Sequence, residues 1–318
     1  VNREYYFASD ILTITLQIYI VPLKGSSKPV ELTKGKHGAT SSPVFSNDGK
    51  KVAWLQMDRD SFEADRRKIH VASISEGSES QIYAEDWHLS PSSIAFAIDD
   101  KSLVGIVEKE EQEVLFEVDL EKKSSAPKLL SHYGGIGSLQ VMKHGILISA
   151  SSLRGPTDLY LVSPHASENA QFKTKARRLT NFAESEGSSL AGIELGPHPE
   201  QFQYPGHKGR TAYGWIHYPP SYDASKTYAL VVGIHGGPEG CWSNSWSTRW
   251  NPAVFTAQDF IMITLDPAGS TSFGQDYQEE ILHNWGGAPY HDIIAGTRHI
   301  LQRFPNIDPE RVVAAGAS

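Results

Sequence analysis

The chain has 318 residues, 39% hydrophobic and 21% charged, with a formal net charge of -8. This composition excludes a disordered chain, and the acidic balance argues against nucleic acid, which needs a clustered positive surface. The one cysteine, Cys241, excludes an internal disulfide and an all-cysteine zinc site.

The chain opens on Val1 without a signal peptide. Its longest apolar stretch, Ile11–Leu23, is broken by Thr13, Thr15 and Gln17 and reads as a strand or two. No run approaches the roughly 18 apolar residues of a membrane span, so no membrane partner is expected. Short segments rich in β-branched and aromatic residues follow: Lys51–Met57, Lys68–Ile74, Ser93–Ile98, Ser102–Glu108, Glu113–Leu120, His144–Ser151 and Asp158–Pro164. Turn formers separate them, as at Ser46–Lys50, Asp99–Asp100 and Arg154–Asp158. No helical period appears before residue 180, and the basic run Lys173–Arg178 reads as a solvated turn. Val71, Phe116 and Leu161 lie 45 residues apart, with Ile20 another 51 residues before Val71. Several strands per repeat of this length fit propeller blades, although a sandwich also spaces its strands evenly.

After residue 190 the pattern turns α/β. Ala212–Asp223 reads as a strand ending in a Pro-Pro turn. Tyr228–Pro238 and Phe260–Gly269 are continuous apolar runs that stop on glycine or proline, as buried parallel strands do. Tyr290–Phe304 carries a helix period through Ile293, Ile294, Ile300, Leu301 and Phe304, with Asp292 placed to cap its start. Glu310–Ser318 supplies a third strand. A strand, a helix and a strand imply a right-handed crossover on a parallel sheet.

Two segments could carry chemistry. In Ile234–Gly240 glycines follow a buried strand directly. They could aim a backbone N–H at an oxyanion, or serve a tight turn that needs positive φ. The lysine and hydroxyl of a phosphate-binding loop are absent. The second segment is Gly316-Ala317-Ser318, the first half of a strand–turn–helix nucleophile motif, whose flanking positions must be small. In that fold the acid and the histidine follow the serine, so His235, His283, His291 and His299 are not taken as the base. Asp266 and Asp292 read as structural. No cofactor or metal pattern of any specificity appears.

These segments together resemble the prolyl oligopeptidase family of serine peptidases, nearest its fungal dipeptidyl-peptidase V branch, which lies close to the acylaminoacyl-peptidases. The resemblance rests on His235-Gly-Gly-Pro238, Gly269–Gly274, Asn284-Trp-Gly-Gly287 with Asp292, and Asp308-Pro-Glu-Arg311 before the Gly316–Ser318 turn. It covers about 190–318 strongly; the N-terminal part resembles the family's propeller through Ser42–Lys50. The resemblance implies a multidomain chain: residues 1–185 as a partial β-propeller of about three to four blades, and 190–318 as the N-terminal part of an α/β-hydrolase domain. It implies Ser318 as nucleophile, the Gly237 N–H as first oxyanion donor, and a second donor after Ser318. It further implies release of N-terminal dipeptides from small peptide substrates, no cofactor, and secretion. Two departures stand out. The family's Asn-Pro-Arg or Asn-Pro-Thr reads Asp266-Pro-Ala268 here, and Ser272 replaces a glycine. Because the chain starts without methionine and stops inside a motif, it reads as truncated at both ends, and as given it is expected to be inactive. The other readings are an acylaminoacyl-peptidase or esterase, or a non-catalytic propeller binding protein with a hydrolase remnant. Oligomeric state is unassigned.

Overall fold

The structure is a computed structural model and describes residues 16–26, 28–35, 37–74, 79–123, 125–132, 134–163 and 176–318. The first residues of the Ile11–Leu23 stretch and of the Lys173–Arg178 run lie outside the described residues. β1 (Tyr19–Ile20) and β2 (Val30–Glu31) form an antiparallel pair. Three four-stranded antiparallel sheets follow, each a meander in chain order. The first holds β3 (Thr40–Phe45), β4 (Lys51–Gln56), β5 (Lys68–Ser73) and β6 (Gln81–Tyr83). The second holds β7 (Pro91–Phe96), β8 (Ser102–Lys109), β9 (Gln112–Asp119) and β10 (Lys128–His132). The third holds β11 (Gly135–Met142), β12 (Gly145–Ser152), β13 (Gly155–Val162) and β14 (Ala176–Arg178). Val71, Phe116 and Leu161 fall on β5, β9 and β13, the third strand of each sheet, so the 45-residue spacing is the sheet repeat. Ile20 ends β1, in the separate two-stranded sheet. No closed ring of sheets is present among the described residues.

The sheets stack face to face, and side-chain alternation decides which neighbour each strand meets. On β8, Leu103 and Val107 join Leu55, Ile69 and Val71 of the first sheet. The alternate residues Val104 and Ile106 join Ile136, Ile148 and Val162 of the third. The middle sheet is thus buried on both faces, which explains why β8 reads as an unbroken apolar run. Turns reinforce the stack: the Asp100 carboxylate accepts from Asn47 N and Asp48 N, at 2.8 and 2.9 Å, across two consecutive sheets.

The C-terminal part holds one five-stranded sheet in the order β15-β16-β18-β17-β19, with α1 (Pro252–Thr256), α2 (Gln275–Glu279) and α3 (Ala288–Arg303). Its strands are β15 (Glu200–Pro205), β16 (Thr211–His217), β17 (Tyr228–Ile234), β18 (Phe260–Asp266) and β19 (Ile307–Gly316). β17 pairs parallel with both β18 and β19, whereas β16 pairs antiparallel with β18, and β15 antiparallel with β16. The expected crossovers are therefore present. α1 starts where Asn251 Oδ1 accepts from Ala253 N and Pro252 takes the first helical position. α3 lays Ile300, Ile293 and Leu301 on the sheet core beside Leu230, Ile263 and Leu265, and it ends at Arg303, two residues before Pro305. Asp292 does not cap α3. It is the helix's fifth residue, and Gly287 takes the cap position without a side-chain bond.

Candidate active site

The parallel strands aim two loops at one place. β17 runs into His235–Pro238, and β19, its parallel neighbour, runs into Ala317 and Ser318. Ile234 is in register with Gly316, so the two turns start side by side. Their contact demands glycine: a Cβ on Gly236 would sit 2.7 Å from the Ala317 carbonyl oxygen and 3.1 Å from Ser318 Cβ. A Cβ on Gly316 would sit 2.7 Å from the Ile234 oxygen. Ser318 has φ +80°, a left-handed conformation that costs a non-glycine residue roughly 1–2 kcal/mol. A sharp turn of this kind thrusts a serine out of a strand end.

Gly237 has φ +135°, so the turn does need positive φ there. Its N–H donates to no protein acceptor among the described residues. The reading of the glycines as a turn that needs positive φ therefore holds at Gly237. Gly237 and Ser318 line a common cavity of about 450 Å³, walled by Leu153, Trp242, Trp250 and Pro252. Gly237 also borders a second cavity of about 410 Å³, where Glu63, Arg67 and Glu108 of the sheets face Glu239, Thr271 and Gln275. The candidate site thus sits at the junction of the sheet stack and the α/β part.

The histidines are engaged elsewhere. His235 Nε2 bonds Ser270 Oγ and its Nδ1 the Gly236 oxygen, both at 2.9 Å. His291 stacks on His207, and His299 on Phe202. No histidine is hydrogen-bonded to Ser318 among the described residues. Cys241 lies beside Glu108, and burial together with that carboxylate and Asp266 pushes its thiol well up, so it stays protonated.

The two aspartates read as structural are fully buried. Asp292 accepts from His207 N at 2.5 Å, Arg210 Nη2 at 2.7 Å and Ala268 N at 2.8 Å. It thereby ties α3 to the β15–β16 turn and to the loop after β18. Asp266 Oδ1 accepts from Trp242 N at 2.8 Å, holding the loop that walls the Ser318 cavity. The departure at Ser272 also has a physical reason. Its φ is +80°, a conformation glycine adopts without strain, and here its Oγ accepts from Glu111 N at 2.7 Å. Sequence reasoning missed Glu111, whose signal is only a Glu-Glu pair in a tight turn.

Comparison with known proteins meets this geometry. The model of the prolyl oligopeptidase family matches residues 246–318. Dipeptidyl-peptidase 5 of Trichophyton equinum is 33% identical over 315 residues, which is 96% of this chain and 42% of the relative. A probable dipeptidyl-peptidase 5 of Aspergillus clavatus is 34% identical over 314 residues, with the same coverage. The chain thus spans about two fifths, 42%, of the length of the curated relatives it matches. Among solved structures, an acylaminoacyl peptidase of Pyrococcus horikoshii superposes with a TM-score of 0.77 at 15% identity, over 99% of this chain and 46% of that one. At that identity the likeness speaks for the fold alone: this chain folds like part of that acylaminoacyl peptidase.

Proposed function

We propose that the protein carrying this chain is a serine exopeptidase that releases N-terminal dipeptides from small peptides, with Ser318 as nucleophile. The observation that carries this reading is the left-handed Ser318 turn packed on the glycine turn whose Gly237 N–H is unbonded, both on one cavity. In the proposed reaction Ser318 Oγ attacks the scissile carbonyl and loses its proton to a base. The C–N bond breaks with proton transfer to the leaving amine, and water hydrolyses the acyl-enzyme. The Gly237 N–H donates to the carbonyl oxygen as it becomes an oxyanion, an interaction stronger in the transition state than in the ground state. The apolar cavity wall suits an uncharged side chain next to the scissile bond. This reading divides the chain at 1–185, a partial β-propeller, and 190–318, part of an α/β-hydrolase domain. The stack of three blade-like sheets on one side of the cavity supports it, since a propeller there would admit short peptides and exclude folded protein. The names of the relatives support dipeptide release; export of the whole protein is proposed from the sequence resemblance alone.

A fluorophosphonate probe on the full-length protein is expected to label Ser318, and Ser318→Ala to abolish labelling. Labelling elsewhere overturns the assignment. Free and N-acetylated dipeptide amides of a chromogenic amine then separate the activities: faster turnover of the free amine supports dipeptide release. Equal or faster turnover of the acetylated compound moves the assignment to an acylaminoacyl-peptidase or esterase.

A further inference from the structure

The β8–β9 hairpin reaches from the sheet stack into the α/β part, and its tip is built against local preference. Glu110 and Glu111 have φ of 49° and 63°, where tight hairpins favour Asn-Gly. Contacts outside the hairpin hold this conformation. Glu110 N donates to Ser272 O at 3.0 Å, Glu111 N to Ser272 Oγ, and Asn244 N to Glu111 O at 2.8 Å. The Glu111 side chain is 1% exposed, with Oε2 accepting from Gln201 Nε2 at 2.8 Å. Its Oε1 has no partner in the hydrogen-bond network, and neither has Oδ2 of Asp266, which is 0% exposed. One loop holds the two residues side by side: Asn244 N donates to Glu111 O, and Trp242 N, two residues earlier, donates to Asp266 Oδ1, both at 2.8 Å.

Two ionised carboxylates cannot share a buried contact without a large cost, and a single proton turns repulsion into a strong hydrogen bond. We propose that Glu111 and Asp266 share one proton, and that this proton latches the β8–β9 hairpin onto the strand end that holds the Ser318 cavity loop. Glu111 Oε1–H then donates to Asp266 Oδ2, which satisfies both otherwise unpartnered atoms. Asp266 Oδ1 remains free to accept from Trp242 N.

The surroundings favour the protonated pair. Burial, then the Asp266 carboxyl, push Glu111 well above the ordinary carboxylate range, and Glu110 on the same tip adds to it. From β16 the ionisable neighbour is Tyr213. Around Asp266 stand Tyr204 of β15, Tyr277 of α2, Cys241 and His235. Among the described residues, His235, with Nε2 3.4 Å from Asp266 Oδ1, is the one basic group within 4.0 Å of either carboxyl. Its Nε2 is already engaged by Ser270 Oγ.

Any bearing of the latch on catalysis rests on the Ser318 reading, so the test uses stability and infrared absorption, which do not depend on labelling of Ser318. Denaturant unfolding of this chain is followed by tryptophan fluorescence from pH 5 to 8, for wild type, Glu111→Gln and Asp266→Asn. Glu111→Gln supplies the missing donor without a titrating proton, whereas Asp266→Asn leaves Glu111 raised by burial alone. Relative to Glu111→Gln, the wild-type folding constant is expected to fall as pH rises, by up to about tenfold per pH unit; relative to Asp266→Asn the fall is expected to be smaller. A protonated-carboxyl infrared band is expected at pH 8 in wild type, where Glu113, raised by burial to about 7, is mostly ionised; it is expected to vanish in Glu111→Gln. A pH-independent stability difference, or a band that persists in Glu111→Gln, overturns the proposal. Should Glu111→Gln fail to fold, Asp266→Asn decides it: the band is expected to shift in frequency when its partner becomes an amide, and an unchanged band overturns the proposal.

Discussion

At the residue scale, the candidate site depends on where a Cβ is forbidden. Gly236 packs on backbone atoms of Ala317, so Gly236→Ala must push the two turns apart. A displacement near 1 Å at a reacting group costs about 100-fold in rate. If the full-length protein has the proposed peptidase activity, Gly236→Ala is therefore expected to lower its kcat/KM at least 100-fold, with kcat falling more than KM rises. An unchanged kcat would show that the two turns do not cooperate. Ser272 offers a finer comparison. Ser272→Gly removes left-handed strain worth about 1 kcal/mol but, like Ser272→Ala, deletes the acceptor of Glu111 N at about 1–2 kcal/mol, so its net cost is about 0–1 kcal/mol. Ser272→Ala keeps the strain, loses the bond and leaves Glu111 N unsatisfied, so it destabilises by about 1–2 kcal/mol. Denaturant midpoints of the two variants check this ordering. The position was legible in the sequence as a departure from a glycine pattern, but its compensation was not, because Glu111 lies 161 residues away.

At the element scale, the sheet stack transmits tight packing through β8. A Cβ on Gly105 would lie 2.4 Å from the Ser93 oxygen and 2.5 Å from Phe116 ring atoms. Phe116 is fully buried between strands that face two neighbouring sheets, so neither it nor the backbone can retreat. Gly105→Ala is expected to destabilise by roughly 3 kcal/mol, the upper end for overpacking. A loss below about 1 kcal/mol in urea unfolding would show that the stack is loosely packed. Elements with strong periods were legible: β4, β5, β8, β9, β16, β17, β18 and α3 lie close to their expected spans. β15 was missed although Phe202 and Tyr204 alternate with exposed glutamates and glutamines, because two apolar residues are too short a pattern. α1 and α2, of five residues each, complete little more than one turn and show no period.

At the scale of the whole molecule, buried titratable groups set opposing pH slopes. Burial lowers His70 to about 4 and His217 to about 3, so the unfolded chain binds their protons first as pH falls below about 6.5. Each therefore contributes stability that is lost on acidification. Glu111 and Glu113 are raised, so the folded chain keeps their protons longer, and their contribution is lost as pH rises above about 4.5. Between about 4.5 and 6.5 the two pairs offset each other, and a plateau is expected. Stability falls above it through the glutamates and below it through the histidines, each by up to about 1.4 kcal/mol per pH unit per group. Melting temperature against pH checks this, and His217→Gln should flatten the acid side while leaving the alkaline side unchanged. A single sharp optimum near pH 8 would contradict it.

The sequence alone determined the grammar of the chain. Side-chain period and turn residues are local properties, and they placed the sheet repeat, the parallel strands, the glycine turn and the serine at its strand end. Tertiary structure decided what these pieces do to one another. It made Asp292 a clamp on His207, 85 residues away, in place of a helix cap, put the Gly236 backbone against Ala317 and brought Glu111 beside Asp266. Such contacts depend on distances between segments far apart in the chain, and no pattern within a window of residues encodes them.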